Sequence, residues 1–222
     1  MMIDQKDRYP LILLTSFTLI WLALAIAPWY RQDWLLENMI VFVAVPLLVL
    51  THRSLRLSNF AYSCLFVFFV LHEIGAHYTY SEVPWRDWLR FAGIDVASSG
   101  ERNHYDRLVH FSYGLLMSPA IWELFAARAQ PRRIWRYLMP LLFLMGHSVV
   151  YESIEWGAAE IFGGDLGVAY LGTQGDEWDS QKDMLLAAVG ALIGLAVCAT
   201  MWPMAVDPDS TTAAARYRAG NP

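Results

Sequence analysis

Charged residues are scarce in this sequence, and so are cysteines. Only 17% of the 222 residues are Asp, Glu, Lys or Arg, whereas roughly 25% is usual in soluble domains. The formal net charge of −5 offers a nucleic acid no electrostatic attraction, so we expect no nucleic-acid partner. The two cysteines, Cys64 and Cys198, each lie inside an apolar run and form no CxxC motif, and we expect both to serve packing.

Several signatures of known enzyme classes are also missing. The sequence has no Gly-x-Ser-Gly nucleophile of the rhomboid type, no phosphate-binding loop and no dinucleotide-binding fingerprint. The stretch His72-Glu73-x-x-x-His77 has one residue too many for the zinc-protease motif HExxH. On a helix, five steps of about 100° turn the two imidazoles roughly 140° apart. Only one of them can share a face with Glu73, and His77 fits better than His72.

Apolar and aromatic residues are abundant instead. Hydrophobic residues make up 56% of the chain, which contains 10 Trp, 11 Tyr and 11 Phe. Such composition is typical of membrane proteins with aromatic residues at the lipid–water interfaces. We predict an all-α, polytopic membrane bundle of about six transmembrane helices, most of them near the ~20 residues that cross a bilayer. The six apolar segments are Pro10–Ala27, Leu35–Leu50, Leu57–Ala76, Leu108–Ala127, Ile134–Ile154 and Met184–Val206.

The basic residues predict how these segments are oriented, because Lys and Arg accumulate on the cytoplasmic side. One side collects Lys6, Arg8, Arg53, Arg56, Arg128, Arg132, Arg133, Arg216 and Arg218. Both termini are therefore predicted to be cytoplasmic. We treat 1–206 as a single transmembrane domain and 207–222 as a polar, disordered tail. The glycine-rich stretch Gly157–Gly175 is predicted to be a re-entrant or lid-like turn.

This topology places acidic and histidine residues of four segment ends at the same, extracytoplasmic face. The spacing puts them in pairs on one side of a helix, i and i+4 for Asp106 and His110 and i and i+3 for Glu152 and Glu155. Converging carboxylates and imidazoles are typical of metal sites in helix bundles. The predicted metal ligands are Glu73, His77, Asp106, His110, Glu155 and Asp179, and the predicted catalytic residues are Glu152, Asp183 and His104.

A divalent metal, Zn²⁺, Mn²⁺ or Fe²⁺, would neutralise these carboxylates and activate a water molecule at the membrane surface. A carboxylate that does not bind the metal would act as a general base. The substrate expected at that depth is a lipid-linked molecule or a cell-envelope precursor, in direct contact with the lipid bilayer. The oligomeric state is left open.

Three other interpretations remain. The carboxylates could bind protons or cations in a transporter. The chain could be a non-catalytic membrane partner protein. The acids at the start of the last segment could also simply stabilise a helix N-terminus.

Several motifs resemble those of the YjdF-type family of bacterial inner-membrane proteins, whose function is unknown. The matching stretches are Leu71–Tyr80 with Val83-Pro84, Asn103–Arg107 with His110, Glu152–Trp156, and Leu171–Met184. The resemblance implies a six-helix protein of the bacterial inner membrane and brings no activity with it. A shorter stretch in the last segment, Asp183-x-x-x-Ala187-x-x-Gly190-x-x-x-Gly194, is similar to VanZ-like envelope proteins, with Ala187 in place of their Asn.

Overall fold

A computed structural model describes residues 5–94 and 102–202. All regular elements within these two ranges are helical, which confirms the all-α prediction. The eight α-helices are α1 (Arg8–Leu24), α2 (Arg31–Thr51), α3 (Asn59–His77), α4 (Trp85–Phe91), α5 (Tyr105–Arg128), α6 (Trp135–Phe162), α7 (Gly164–Leu171) and α8 (Asp179–Met201). A short 3-10 turn, Gln5–Asp7, precedes α1. The predicted tail, 207–222, lies outside the described residues.

Four of these helices, α2, α3, α6 and α8, are long and apolar enough to cross a membrane. The helix α2 contains Pro46 near its end, yet it runs for 21 residues with a mean hydropathy of 2.0 in its most apolar window. The helix α1 is apolar but has 17 residues, and α5 has 24 residues but carries more polar side chains. Membrane-spanning helices are therefore present.

The helix α5 is the centre of the bundle. It packs against α8, α3 and α6, while α1 and α2 both pack on α3. The interior is filled by side chains such as Phe68, Trp122 and Leu144, all at most 6% exposed. Large apolar side chains also cover the outside, for example Leu19 at 64% and Leu50 at 81% exposure. An apolar exterior of this kind is suited to contact with lipid.

The helices extend past the apolar runs into polar sequence. The helix α8 begins at Asp179, five residues before the apolar run, and α6 continues through Glu155 to Phe162. After α6 the chain turns at Gly163, whose φ of 60° favours glycine, and forms α7, which packs on α6 and α2. Much of Gly157–Gly175, predicted as a turn, is thus helical, and Tyr170 of α7 is buried.

Candidate functional site

The first side chains of the site come from the beginning of α5. Asn103 fixes this helix start, since its side-chain oxygen accepts hydrogen bonds from the Tyr105 backbone N–H at 3.0 Å and from Trp85 Nε1 at 2.7 Å. Tyr105 is buried, and its hydroxyl donates to the Leu71 carbonyl at 2.9 Å. One turn of helix then brings the His110 Nε2 atom within 3.5 Å of the Asp106 carboxylate. The i, i+4 pair predicted from spacing therefore forms.

Asp183 reaches this pair because α5 and α8 pack unusually closely. A Cβ atom placed on Gly114 would lie 2.5 Å from the Ala191 backbone nitrogen and closer still to the Ala187 carbonyl oxygen. Glycine is thus required where the two backbones touch. This contact lies one helical turn below His110 and Asp183. As a result, ligand atoms of Asp106, His110 and Asp183 all lie within 4.8 Å of one another.

The helix α6 contributes Glu152 to the same cluster. Its Oε1 atom lies 3.5 Å from His110 Nε2. Glu152 is 7% exposed and Asp183 is 2% exposed, so both carboxylates are largely removed from solvent. One oxygen of each, Glu152 Oε1 and Asp183 Oδ1, has no hydrogen-bond partner within the described residues. Unsatisfied buried oxygens are costly unless a proton or cation completes them. We call Asp106, His110, Glu152 and Asp183 the acid–histidine cluster.

A layer of ion pairs covers the outer side of this cluster. Arg102 forms a salt bridge with Asp179, and Arg107 bridges Asp179 at 3.3 Å and Asp176 at 2.6 Å. Lys182 also binds Asp176, at 2.6 Å. The Lys182 contact is the largest cause that lowers the pKa of Asp176 to about 2, followed among the lowering effects by the Trp178 N–H and Arg107. These ion pairs connect the residues at the start of α5 to the start of α8 and the loop before it.

His104 lies at the edge of this layer rather than in the cluster. Partial burial lowers the pKa of His104 first, and the nearby positive charges of Arg107, Arg102 and Arg86 lower it further. The catalytic role of His104 stays a prediction. The structure places it just before α5, beside the cationic groups.

A second group of acids adjoins the cluster. Tyr151 of α6 donates a hydrogen bond to Glu37 of α2 at 2.8 Å. Glu155 interacts electrostatically with Glu37, Glu152 and Asp106. Glu155 therefore lies next to the acid–histidine cluster but is not one of the three residues whose ligand atoms converge, Asp106, His110 and Asp183. Asp179, also a predicted metal ligand, is instead occupied by Arg102 and Arg107.

Glu73 and His77 are not part of the cluster, although the sequence groups them with it. The His77 Nδ1 atom hydrogen-bonds the Leu24 carbonyl oxygen at 2.7 Å, which ties the end of α3 to the end of α1. Glu73 is fully buried on α3, and neither of its oxygens has a hydrogen-bond partner in the described part of the chain. The helix α3 turns this face towards α1 and α2, because its opposite face packs on α5. His72 is held by Tyr80, whose hydroxyl lies 2.6 Å from Nδ1.

Sequence reasoning missed Glu37 and Arg102. Glu37 follows Asp33 by four residues near the beginning of α2, and both are at most 3% exposed. An i, i+4 acidic pair next to a membrane segment is the signal that could have revealed it. Arg102 had no such signal, because its partner Asp179 lies 77 residues away and only the fold joins them.

The arrangement suits a divalent metal. Two carboxylates and an imidazole in reach of one point are ligands for Zn²⁺, Mn²⁺ or Fe²⁺. Glu152 lies beside His110, where it could act as a fourth ligand or as a base. Side chains placed on helices of a packed bundle favour a preorganised site.

Comparison with known proteins places this chain in a family. The family model described as a predicted membrane protein (DUF2238) matches residues 9–203. The inner membrane protein YjdF of Escherichia coli (strain K12) is 35% identical over 192 residues, which cover 82% of this chain and 87% of that protein. No solved structure matches. These findings confirm the expected resemblance and a location in the bacterial inner membrane. The chain therefore belongs to the DUF2238 family of predicted membrane proteins.

Proposed function

We propose that this protein holds a divalent transition metal in the acid–histidine cluster and uses it to hydrolyse, or transfer a group on, a lipid or cell-envelope precursor. The observation that carries this proposal is the convergence of Asp106, His110 and Asp183 within 4.8 Å. With metal–ligand bonds of about 2.1 Å, one ion holds its ligands roughly 3–4 Å apart. Side-chain adjustments of about 1 Å would then close the site around an ion.

The unsatisfied oxygens of Glu152 and Asp183 give independent support. Both lie close to His110 and Asp106, with Glu152 Oε1 at 3.5 Å from His110 Nε2, and neither is paired with an Arg or Lys of the described residues. Arg102 and Arg107 are close, but their partners are Asp179 and Asp176. A cation from outside the protein is the simplest complement to such a group.

The chemistry follows from the positions of the side chains. A metal held by Asp106, His110 and Asp183 would lower the pKa of a bound water, and Glu152 would accept its proton. Water activated in this way would be the nucleophile towards an electrophilic carbon or phosphorus atom of the substrate, whose bond to the leaving oxygen would break. The proton on Glu152 would then pass to the leaving oxygen, which restores the carboxylate. The site lies at the ends of membrane helices, where amphipathic substrates are concentrated.

We further infer that α1, α2, α3, α5, α6 and α8 all cross the membrane, with both termini cytoplasmic. The distribution of Lys and Arg supports this orientation. The acid–histidine cluster then faces the extracytoplasmic side. Fusing a reporter active only in the cytoplasm to either terminus tests the orientation, and an inactive fusion at either end contradicts it.

Metal content tests the proposed site directly. We expect near-stoichiometric Zn²⁺, Mn²⁺ or Fe²⁺ in the detergent-purified protein after reconstitution, measured by inductively coupled plasma mass spectrometry. His110→Ala and Asp183→Asn should lose the metal. Glu73→Gln and His77→Ala are matched controls, because they remove an acid and a histidine from the same membrane face but outside the cluster. Loss of metal in the controls, or its retention in both cluster variants, would contradict the proposed ligands.

A proton- or cation-coupled transporter is the second candidate, and buried acids away from the cluster favour it. Asp33 and Glu73 are at most 1% exposed, and none of their four oxygens has a partner in hydrogen-bonding geometry within the described residues. Their polar neighbours are Thr79 and Asn38, respectively. A carboxyl group in such surroundings favours its protonated form, as proton carriers require.

Proton flux into proteoliposomes that contain a pH-sensitive dye separates the two functions. Transport predicts a flux that disappears in Asp33→Asn and Glu73→Gln but not in the exposed control Asp87→Asn. The enzyme proposal predicts no flux in any of them. If wild type shows neither metal nor flux, a non-catalytic partner protein becomes the better interpretation.

A further inference from the structure

A cleft separates α1 from α2 at the end of the bundle opposite the acid–histidine cluster. The two helices meet near the loop that joins them, where Trp21 packs on Trp34 with ring centres 5.7 Å apart and donates to Asn38 at 2.6 Å. Both helices then continue along α3 but diverge from one another. The space left between them is a cavity of about 260 Å³.

The walls and floor of this cleft are apolar. Leu11 and Leu14 of α1 line one side, Leu48 of α2 lines the other, and Leu65 and Phe69 of α3 form the base. Its inner limit is the contact between the Phe17 and Phe69 rings, whose centres are 5.8 Å apart. The cleft is thus a narrow slot lined by hydrocarbon and open to the outside of the bundle.

The mouth of the cleft is polar and carries positive charge. His52 hydrogen-bonds the Tyr62 hydroxyl at 2.7 Å and Asp7 at 3.2 Å, and Arg56 bridges Asp7 at 3.1 Å. Arg53 also lines this mouth and is exposed. Asp7, the one carboxylate among the described lining residues, is therefore matched by Arg56, and Arg53 has no ion pair within the described residues, so its charge is available to a ligand.

The dimensions of the cleft match one leaflet of a membrane. Asp7 at the mouth and Phe17 at the inner limit are ten residues apart, or about 15 Å along a helix. Half of a ~30 Å hydrocarbon core has the same depth. A whole helix from a second copy of the chain, about 10 Å across, is too wide for a cavity of this volume.

We propose that this cleft binds one acyl chain of an anionic phospholipid, with the lipid phosphate at Arg53 and Arg56. The apolar slot takes the chain, and the basic mouth selects a negatively charged headgroup over a zwitterionic one. The site is separate from the acid–histidine cluster and does not depend on the function proposed for it.

Lipid retention by the full-length protein tests this site. The protein is purified in a non-ionic detergent, incubated with phosphatidylglycerol or phosphatidylcholine, and examined by native mass spectrometry. We expect wild type to retain phosphatidylglycerol in preference to phosphatidylcholine. Leu14→Trp and Leu48→Trp should lower that retention by roughly tenfold or more, because an indole displaces several methylene groups from the slot.

Two variants serve as matched controls, and one tests the headgroup. Leu19→Trp places the same indole on an exposed, lipid-facing position of α1, and Arg133→Gln removes an exposed charge outside the cleft. Both should retain lipid as wild type does. Arg53→Gln changes no packed side chain and should abolish the preference for phosphatidylglycerol, so it remains informative if the tryptophan variants fail to fold. Circular dichroism and gel filtration identify such failures.

Three results would overturn the proposal. The first is equal retention of phosphatidylglycerol by wild type and by correctly folded Leu14→Trp. The second is equal retention of phosphatidylglycerol and phosphatidylcholine by wild type. The third is a dimer that forms in wild type and is lost in Leu14→Trp, since a second copy would then be the occupant.

Discussion

Substituting Gly114 by alanine should damage stability and metal binding together. The new Cβ would lie 2.5 Å from the Ala191 nitrogen and closer to the Ala187 carbonyl oxygen. Real Cβ atoms essentially never approach neighbouring atoms closer than 3.0 Å. Both obstacles are backbone atoms, which cannot rotate away as a side chain would. The helices α5 and α8 must therefore separate by more than 0.5 Å, the difference between 2.5 and 3.0 Å.

The free energy of unfolding should fall by about 3 kcal/mol, the upper end of the range for overpacked cores, because neither neighbouring backbone can move aside. For a chain of this length, this cost corresponds to a fall in melting temperature of roughly 6–12 °C. Gly114 is one turn from His110, and Ala187 is one turn from Asp183. The same separation thus exceeds the tolerance of a preorganised site, about 0.5 Å. Metal affinity should fall roughly 10- to 100-fold, as when groups that support metal ligands are changed.

Gly146→Ala is the matched control, because a Cβ at this helical position meets nothing within 4 Å. Its melting temperature should stay the same or rise slightly, since alanine favours a helix over glycine by about 0.5–1 kcal/mol. Melting is followed by circular dichroism in detergent, and metal affinity by competition with a chromophoric chelator. Unchanged melting of Gly114→Ala would refute the close contact of α5 and α8. Reduced melting with unchanged metal affinity would refute Asp183 as a ligand.

Three further predictions concern the ends of the bundle. Asp176→Asn should lower the melting temperature at neutral pH. Folding lowers the pKa of Asp176 from 3.8 to about 2, so the difference in melting temperature from wild type should shrink as the pH falls from 3.8 to about 2. Glu123→Gln should lower the free energy of unfolding by about 1 kcal/mol, as a lost helix cap does. The reason is that the Glu123 carboxylate accepts hydrogen bonds from the Ser58 N–H at 2.7 Å and from the Ser58 hydroxyl at 2.5 Å. Denaturant titration of Glu123→Gln, Ser58→Ala and the double variant should show losses of stability that are not additive. EDTA should destabilise metal-saturated wild type by about 2.7 kcal/mol at a free metal concentration of 100 times Kd; an equal loss in Asp183→Asn would contradict the site.

The six long helices were predictable because each contains an apolar run close to the length that crosses a membrane, whereas α4 and α7 are too short to show one. Their ends were not, because hydropathy changes sign before the helix stops. Asp179 and Glu155 lie beyond their apolar runs and are still helical. There the backbone continues as a helix because neighbouring helices and ion pairs hold it, and a single segment of sequence contains neither.

The site was predictable as a region and not as a set of ligands. The spacing of Asp106 and His110 correctly predicted that they are neighbours, since one helical turn fixes the distance between them. The same rule suggested Glu73 with His77, but both face α1 and α2 because of how α3 rotates in the bundle. Rotation is set by packing of side chains between helices. For α3, contacts such as Phe69 with Phe17 of α1 and Phe68 with Tyr113 of α5 determine it, and they become visible only in three dimensions.

Charge balance supports the proposal that the acid–histidine cluster binds a cation. The ion pairs of Arg102, Arg107 and Lys182 are directed to Asp176 and Asp179. Within the described residues, five carboxyl groups lie around His110, namely Glu37, Asp106, Glu152, Glu155 and Asp183. So many negative charges in a poorly solvated space repel one another strongly, and burying unpaired charges is costly. Either protons or a cation must compensate them. A divalent ion supplies two positive charges at one point, and the three ligand atoms that already converge give that point a location. Protonation alone would not require such convergence, and for this reason the geometry favours metal binding over proton carriage at this cluster.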